Sequence, residues 1–311
     1  MPNDDIRLQE LLEELAHLGT EASTTERGDL DLLPTPDLVR AMNTEDRGVP
    51  DAVAARTSEI AAAVDGITER FRSGGRLIYI GAGTAGRIGV LDASECPPTF
   101  GTEPSMVVGL IAGGETAIRS AVEDAEDDVD AAEASLRELG LTERDTVVGI
   151  SASGRTPYVV GGLRFARGVG ALTVAIASNE RSAIGAEASI PIEVITGPEF
   201  ISGSTRLKSG TAQKLVVNML TTLSMIKLGK TYRGVMVDLV ATNEKLRARS
   251  IRTVSQLAGV DVETASDALA AAEGSVKLAL LMLASGADAD AAASALARAD
   301  GVLREAIVVL A

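Results

Sequence analysis

The chain has 311 residues, of which 46% are apolar and 23% charged, a composition that suits a folded protein large enough to bury a core. Its net charge is −15 and only 2% of its residues are aromatic, so it lacks the basic surface and stacking side chains of a nucleic-acid-binding protein, and we predict no such partner. A single histidine, His17, and a single cysteine, Cys96, exclude a multi-histidine metal site, a histidine-based triad and an intrachain disulfide.

No targeting or membrane segment is predicted. The opening residues, "MPNDDIRLQELLEEL", carry acids and no apolar core, so they do not resemble a signal peptide. No apolar run approaches the roughly 18 residues that a membrane span requires, and we expect no membrane partner. One cysteine fits a reducing compartment, so the predicted location is the cytoplasm.

Helical patterns dominate the first 75 residues. "LQELLEELAHLGTEA" (8–22) has helical spacing, and "TPDLVRAMNTED" (35–46) is typical of a short capped helix. Residues 51–73 are Ala-rich and amphipathic and predict one long helix. We therefore expect an N-terminal helical segment over residues 1–50.

Five short apolar runs alternate with helical patterns from Arg76 onward. They lie in "RLIYIG", "SMVVGLI", "DTVVGIS", "ALTVAIAS" and "IPIEVIT". Apolar strands that alternate with helices indicate a parallel sheet covered on both faces. The predicted fold class is α/β, a doubly wound sheet that binds its ligands beyond the carboxyl ends of the strands.

The last third of the chain is helical by pattern. Residues 205–228 predict one long helix, which Ser204 or Thr205 could cap. From about residue 250 we expect a small bundle of short helices. A faint repeat with an offset of 27 runs through this bundle: Asp261 matches Asp288 and Gly274 matches Gly301, for example. The predicted domains are 51–248 for the α/β domain and 249–311 for the bundle.

Two glycine- or hydroxyl-rich turns follow predicted strands. The first, Gly81–Gly86 ("GAGTAG"), allows close approach of a ligand to the backbone at a helix amino terminus. Its GxGxxG spacing also suggests a dinucleotide site, but no acidic residue closes a second strand about 20 residues later, as ribose recognition requires. A dinucleotide (NAD) site is therefore the weaker interpretation of this turn, and binding of another anion is the stronger one.

The second turn, Ser151–Thr156 ("SASGRT"), offers three hydroxyls, a glycine and a guanidinium. Hydroxyls and free backbone N–H groups suit a phosphate. No GxxxxGK[ST] motif occurs, so a nucleoside triphosphate is not indicated. Ordinary helix capping would explain one hydroxyl but hardly all three with the arginine.

Carboxylates are the candidate acid–base groups. Glu95, beside Cys96 and two prolines in "LDASECPPTFG", is expected in a rigid, partly apolar loop, where burial would raise its pKa. Glu126 lies in the acidic stretch "AVEDAEDDVD", and spacing alone indicates a solvated helix face. Cys96 has no histidine to activate it, so we expect a small buried residue.

A third polar cluster precedes the long helix. The segment "GPEFISGSTRLKSG" brings Glu199, Ser204 and Thr205 together with Arg206 and Lys208. An anionic substrate of an acidic protein needs a locally positive pocket, which the two bases could supply. A capped helix with solvated bases explains the pattern equally well.

Several of these motifs together resemble one family. "IGAGTAGRIGVLDASECPPTFG", "GLIAGG", "AVEDAEDD", "SASGRTPYVVGGL" and "GPEFISGSTRLKSGTAQKLVVNMLTT" are similar to N-acetylmuramic acid 6-phosphate etherases, from about residue 20 to the C-terminus. The chain departs from the usual pattern at Ala85, where the family has Ser, and at Ser209, where Ala is common.

The resemblance implies a fold, an activity and an assembly. The fold is a sugar isomerase (SIS) domain with a flavodoxin-like five-stranded sheet, followed by a small ubiquitin-associated-like bundle. The activity is cleavage of the lactyl ether of N-acetylmuramic acid 6-phosphate without a cofactor or metal. A homodimer is implied, with the active site near the subunit interface. A sugar phosphate isomerase and a non-catalytic sugar-phosphate sensor remain the alternatives.

The resemblance also assigns residue roles. The two catalytic glutamates fall on Glu95 and Glu126, which replaces the solvated-face interpretation of the latter. The predicted substrate-binding residues are Gly83, Thr84, Ser94, Ser151, Ser153, Gly154, Arg155, Thr156, Glu199, Ser204 and Lys208.

Overall fold

The computed structural model describes residues 18–22, 29–238 and 244–310. Contacts divide the chain into two compact units. The first comprises Met1–Ser94 and Ser105–Thr221, and the second comprises Glu95–Pro104 and Thr222–Ala311. The predicted domain boundaries at residues 50 and 248 stay predictions.

A five-stranded parallel sheet forms the centre of the first unit. In chain order the strands are β1 (Leu77–Gly81), β2 (Val107–Ile111), β3 (Thr146–Ile150), β4 (Leu172–Ala177) and β5 (Ile190–Glu193). Their spatial order is β2-β1-β3-β4-β5, and every neighbouring pair is parallel. All residues of β1 and β3 are buried, as in a sheet covered on both faces. The predicted doubly wound fold is confirmed.

The direction of winding changes between β1 and β3. The chain continues from β1 to β2 on one side of the sheet, whereas β3 pairs with the other side of β1. Gly81 and Ile150, the last residues of these two strands, are register partners. In an open α/β sheet, this switch point is where a ligand crevice opens.

Helices accompany the strands along the chain. They are α1 (Thr35–Asp46), α2 (Val49–Ala54), α3 (Thr57–Arg72), α4 (Gly83–Phe100), α5 (Gly114–Arg119), α6 (Ala131–Glu138), α7 (Pro157–Val169), α8 (Ala183–Glu187) and α9 (Lys208–Lys227). Short 3-10 helices form at Leu30–Leu32 and Ala125–Asp127. The last residues of α4 and α9 belong to the second unit.

The structure corrects two helix predictions and leaves most of a third outside the described residues. The helical pattern over 8–22 lies outside the described residues up to residue 17, and residues 18–22 form a turn. Helix α1 follows Pro34, which has no side-chain acceptor, so the expected side-chain cap is absent. The single helix expected over 51–73 is two helices, broken at Arg56 (φ −112°), where the Thr57 hydroxyl donates to the Ala54 carbonyl at 2.6 Å.

The core of the first unit packs α6 and α7 onto the sheet. Leu136 of α6 and Tyr158 and Leu163 of α7 pack with Ile78 and Ile80 of β1, and all five are at most 2% exposed. Burial of apolar side chains of this size contributes about 1.5–3 kcal/mol each. The amino end of α7 is thereby held at the carboxyl end of β3.

A buried polar network joins β1, α4 and α9. The Asp92 carboxylate, on α4, is 5% exposed and accepts hydrogen bonds from the Tyr79 hydroxyl (2.8 Å), Asn218 Nδ2 (2.6 Å) and the Thr221 hydroxyl (3.3 Å). Burial raises the pKa of Asp92, and these donors offset part of the rise. The network fixes α9 against the helix that follows β1.

An ion pair closes the amino ends of β1 and β3. The Asp145 side chain is 2% exposed and accepts from the Arg76 backbone N–H (2.8 Å) and Nη2 (2.8 Å). Burial alone would raise the pKa of Asp145. The guanidinium of Arg76 and the backbone N–H groups of Thr142 and Arg76 outweigh that effect, so its pKa is lowered.

The second unit is a helical bundle with a short hairpin. Its elements after α9 are β6 (Thr231–Tyr232), β7 (Val235–Met236), α10 (Glu244–Ala258), α11 (Val262–Ala271), α12 (Val276–Ser285), α13 (Ala289–Arg298) and α14 (Leu303–Leu310). Val254, Leu281 and Leu303 belong to its core of mostly Ala, Val and Leu. The predicted bundle of short helices is confirmed.

The sequence repeat in this bundle is a structural repeat. Helices α11 and α13 start 27 residues apart (289 − 262), and so do α12 and α14 (303 − 276). Asp261 caps α11 by accepting from the Thr264 N–H, and Asp288 caps α13 through the Ala291 N–H. The bundle therefore contains one capped helix pair used twice.

The described part of the chain contains no single helix that is long and apolar enough to cross a membrane. Only Val262–Ala271 and Val276–Ser285 taken together reach that length and composition, and they meet at a bend of 110°.

Candidate functional site

The turn after β3 gathers its hydroxyls into one cluster. Ser151 Oγ lies 2.8 Å from Thr156 Oγ1 and 3.3 Å from Ser153 Oγ, and it accepts the Gly154 N–H at 3.1 Å. Thr156 directly precedes α7 but makes no side-chain cap hydrogen bond. Ordinary capping therefore does not explain these hydroxyls. They stand at a helix amino terminus, a setting that favours an anion.

Residues after β4 hold this turn in place. Asn179, 8% exposed, donates through Nδ2 to the carbonyls of Ala152 and Ser153, both at 3.2 Å. Gly154 has φ +75°, and a Cβ there would lie 2.4 Å from the Cβ of Ser182. The hydroxyl cluster is thus backed by a tightly packed loop.

The glycine turn after β1 faces the same edge of the sheet. A Cβ on Gly81 would lie 2.8 Å from the N atom of Gly86, and one on Gly86 would lie 2.7 Å from the Gly81 carbonyl oxygen. Only glycines allow this close approach of α4 to β1. Gly83 (φ +53°) has open space where a Cβ would be, so its backbone is accessible.

The two turns line one cavity of about 290 Å³ at the switch point. Its lining brings together predicted site residues that are far apart in sequence: Gly83, Thr84, Glu126, Ser151, Ser153 and Thr156. Ala85 also lines it and offers no hydroxyl. A second cavity of about 200 Å³ shares Gly83 and Glu126 with the first.

Glu126 occupies the junction of the two cavities. It lies in the 3-10 turn Ala125–Asp127, which follows Asp124 in the left-handed conformation (φ 60°). Glu126 is exposed and lines both cavities. The expectation of a solvated helix face, drawn from spacing alone, missed this position because a turn rather than a helix carries the residue.

The lining of the 290 Å³ cavity does not supply the positive charge expected at the site. Among the described residues that line the 290 Å³ cavity there is no Lys or Arg, and there are two carboxylates, Glu21 and Glu126. Arg206 is exposed, and Lys208 is buried with its Nζ 3.2 Å from Glu45 Oε2. Neither base lines this cavity, so a contribution of positive charge from Arg206 or Lys208 has no support in its lining. An anion here would be held by hydroxyls and backbone N–H groups.

Glu95 and Ser94 lie on α4 rather than in a loop. Both are exposed, and Ser94 Oγ donates to the Leu91 carbonyl at 2.8 Å. The extended loop and the burial expected for Glu95 are wrong, because the helix continues through Pro97 and Pro98 to Phe100. Glu95 belongs to the second unit. The neighbouring Cys96 is 2% exposed, as predicted for a small buried residue.

Glu199 forms the cap of α9. It is 2% exposed, and its two carboxylate oxygens accept the N–H groups of Lys208 (2.8 Å) and Ser209 (2.9 Å). The caps expected at Ser204 or Thr205 are therefore replaced by a residue from further upstream. A carboxylate at this position satisfies two free N–H groups and complements the helix dipole.

Six predicted binding residues do not line the 290 Å³ cavity: Ser94, Gly154, Arg155, Glu199, Ser204 and Lys208. Arg155 contributes a backbone N–H to Ser153 Oγ at 3.3 Å, Ser204 is half-buried, and Glu199 and Lys208 lie at the start of α9 as described. Gly154 supports the cavity from behind. The roles of these residues toward a ligand stay predictions.

Three lining residues with polar side chains were not anticipated as binding residues. Glu21 precedes all the sheet motifs in sequence and had no local signal. Thr205 was considered only as a helix cap. Gln213 is 1% exposed, and its Nε2 has no hydrogen-bond partner among the described residues. Burial of an unpaired amide costs about 1–3 kcal/mol. The only signal in the sequence was its place one helical turn after Ser209.

Metal ligation finds no support in the described part of the chain, where no three His, Cys, Asp or Glu residues are grouped to hold an ion. What the cavity offers chemically is a set of neutral donors beside a carboxylate. That combination can bind a phosphate ester and move a proton on the attached group.

Relatives at high identity cover most of the chain. N-acetylmuramic acid 6-phosphate etherases of Streptomyces coelicolor, Streptomyces avermitilis and Mycolicibacterium smegmatis are 58%, 57% and 55% identical to it. The matched regions are 88%, 87% and 88% of this chain and 88%, 87% and 91% of those relatives.

Domain and structure comparisons agree with the fold. Residues 59–167 match the glucokinase regulatory protein N-terminal SIS domain, and residues 125–223 match the SIS domain. A phosphoheptose isomerase from Francisella tularensis has a TM-score of 0.50 at 17% identity, covering 62% of this chain and 100% of the isomerase. At that identity the likeness concerns the fold alone.

Proposed function

Since this chain belongs to the N-acetylmuramic acid 6-phosphate etherase family, we propose that it cleaves the D-lactyl ether of N-acetylmuramic acid 6-phosphate. The products are N-acetylglucosamine 6-phosphate and D-lactate, and the role is in amino sugar recycling. The observation that carries the proposal is the 55–58% identity to etherases over about 88% of the chain. The hydroxyl-lined cavity with Glu126 at its edge supports it.

The phosphate binds at the switch point. Ser151, Ser153 and Thr156 supply hydroxyls, and the Gly83–Thr84 turn supplies accessible backbone. These donors carry no net charge, which suits a group that must be released after each turnover. Anchoring the phosphate orients the reacting carbons of the sugar.

The chemistry is an elimination followed by an addition. Direct hydrolysis of an alkyl ether is slow because an alkoxide leaves badly. In the open-chain sugar the C1 aldehyde acidifies the proton on C2, so a carboxylate base can remove it. The C3–oxygen bond then breaks, an acid protonates the lactyl oxygen, and a C2=C3 double bond forms. D-lactate leaves in this elimination, and water then adds its hydroxyl to C3 and a proton to C2, which gives N-acetylglucosamine 6-phosphate.

Glu126 and Glu95 are the two proposed acid–base residues. We assign Glu95 to the C2–C3 bond and the lactyl oxygen, and Glu126 to a second proton transfer such as ring opening. The position of Glu126 between two adjoining cavities supports a role at the reacting sugar. Neither residue requires a cofactor for these steps.

We propose a homodimer in which the two glutamates of one site come from different subunits. The exposed surface of Glu95 on α4 is compatible with such an arrangement. The single buried cysteine supports a cytoplasmic enzyme.

A coupled D-lactate assay with purified protein tests the function. Wild type should release D-lactate from N-acetylmuramic acid 6-phosphate, whereas Glu126→Gln and Glu95→Gln should lose at least about a hundredfold in kcat, the usual contribution of a general acid or base. Asp127→Asn, a neighbouring exposed acid that lines neither cavity, is the matched control. An isomerised sugar phosphate without lactate would refute the etherase assignment.

Mixing the two inactive variants tests the shared site. If Glu95 and Glu126 act across the dimer, a heterodimer retains one intact site and the mixture regains about a quarter of wild-type activity. If both act from one chain, every site in the mixture carries a defect and no activity returns.

A further inference from the structure

Gln213 carries a buried amide nitrogen that makes no hydrogen bond to the described part of the fold. Its side chain is 1% exposed, and Nε2 has no partner among the described residues. Unpaired buried polar groups are rare in native proteins, and each one calls for a reason such as a ligand. Gln213 is also a lining residue of the 290 Å³ cavity, so the residue that carries the unpaired Nε2 borders the space where a ligand would lie.

The position of this amide is set by rigid contacts. Glu199 caps the start of α9 through the N–H groups of Lys208 and Ser209, one turn before Gln213. A Cβ on Gly210 would lie 3.4 Å from the Thr84 methyl carbon, so α9 packs directly on the turn that lines the same cavity. Beyond Gln213, Asn218 ties α9 to Asp92 of α4.

We infer that Gln213 is a substrate-positioning residue whose amide donates a hydrogen bond to an oxygen of the bound sugar phosphate. This inference rests on the proposed function for the identity of the ligand. The cavity that Gln213 lines holds the Ser151 hydroxyl cluster and no cationic side chain among its described residues. A neutral donor on the α9 side adds to those hydroxyls without adding charge.

A positioning role and a structural role predict opposite effects of the same substitution. Gln213→Met keeps the shape of the side chain and removes the amide. If the amide serves the ligand, the variant without ligand is at least as stable as wild type, because replacing an unpaired polar group by an apolar one of similar shape is neutral or favourable. If the amide serves the fold, the variant is less stable.

The experiment measures urea unfolding without ligand and calorimetric affinity for N-acetylglucosamine 6-phosphate, the reaction product, and for inorganic phosphate. For Gln213→Met we expect an unchanged or higher urea midpoint and about tenfold weaker binding of the sugar phosphate, equivalent to 1.4 kcal/mol. Equal weakening of inorganic phosphate binding places the hydrogen bond on the phosphate. Unchanged phosphate binding places it on the sugar. Gln256→Met, on an exposed residue of α10, is the control.

The inference is overturned if Gln213→Met binds the sugar phosphate as wild type does, or if its urea midpoint falls while affinity is retained. Because the probe is a product, the test needs no turnover. If Gln213→Met binds the sugar phosphate more weakly but the wild-type protein releases no D-lactate, the etherase proposal is refuted and Gln213 remains a ligand-binding residue. Absence of any sugar phosphate binding by wild type would sink both.

Discussion

Replacing Gly154 by Ala tests whether the hydroxyl cluster depends on a packed backbone. Gly154 has φ +75°, and a Cβ there would lie 2.4 Å from Ser182 Cβ and 3.3 Å from Ala177 Cβ. Neither neighbour is the flexible end of a long side chain, so the loop itself has to shift. Gly154 also donates its N–H to Ser151 Oγ and accepts from the Ile184 N–H at 3.0 Å.

The size of the effect follows from two terms. A non-glycine residue in the left-handed region costs roughly 1–2 kcal/mol. Overpacking by one methyl group in a tight site costs about 1–3 kcal/mol. Together they predict a loss of about 2–5 kcal/mol in the free energy of unfolding, a large share of the roughly 5–15 kcal/mol that stabilises a typical domain.

Urea unfolding and N-acetylglucosamine 6-phosphate affinity measure this prediction. The Gly154→Ala variant should show a lower urea midpoint and, because the Ser151 hydroxyl moves with the loop, weaker ligand binding. Gly168→Ala is the matched control. Gly168 lies in α7, and a Cβ there would contact nothing within 4 Å. That substitution should stabilise by roughly 0.5–1 kcal/mol, the usual gain for Gly→Ala within a helix.

Unchanged stability and affinity in Gly154→Ala would refute this reasoning, since the loop would then be free to adjust. A loss of stability with intact ligand binding would show that the hydroxyl cluster does not depend on the packing of this loop. It would show that the packing against Ser182 serves the fold alone.

Two further predictions concern pH. Asp145→Asn breaks the buried pair with Arg76 and should lower the free energy of unfolding by about 3 kcal/mol near neutral pH. Because the folded-state pKa of Asp145 is lowered, the pair stabilises the fold above the ordinary aspartate pKa. The difference in unfolding free energy between wild type and variant, measured with urea, should therefore shrink as pH falls through the folded-state pKa. A gap that is constant from pH 7 to pH 3 contradicts this. For Asp92 the sign is opposite: burial raises its pKa, so wild type loses stability as pH rises from the ordinary aspartate pKa to the raised one. The unfolding free energy of Asp92→Asn minus that of wild type should therefore increase over that range. A decrease would show that the charged form of Asp92 is the favoured one.

Local pattern was sufficient for the sheet and the bundle. Buried runs such as "LIYIG" and "TVVGI" alternate with helical segments, and such runs are stable only as strands covered on both faces. The 27-residue repeat could be recognised in the sequence because an N-cap Asp before α11 and α13 and a glycine after them recur at the same spacing. Each signal depends on residues close together in the chain.

The hydroxyl turn was likewise predictable, since its three hydroxyls follow one strand. Glu126 was identified as a site residue only through the family resemblance, because its spacing in an acidic stretch indicates solvent. Its position follows from a turn that brings residue 126 to the ends of β1 and β3.

The sequence by itself determined the α/β architecture, the edge of the sheet that carries the site, and the hydroxyls that line it, because those features arise from short-range periodicity and from the direction of parallel strands. Only the tertiary structure decided that Glu199 caps α9, that Lys208 is buried against Glu45 and that Glu21 and Gln213 reach the cavity. These contacts join segments remote in the chain or depend on which side of a helix faces inward, and only the packed fold fixes both.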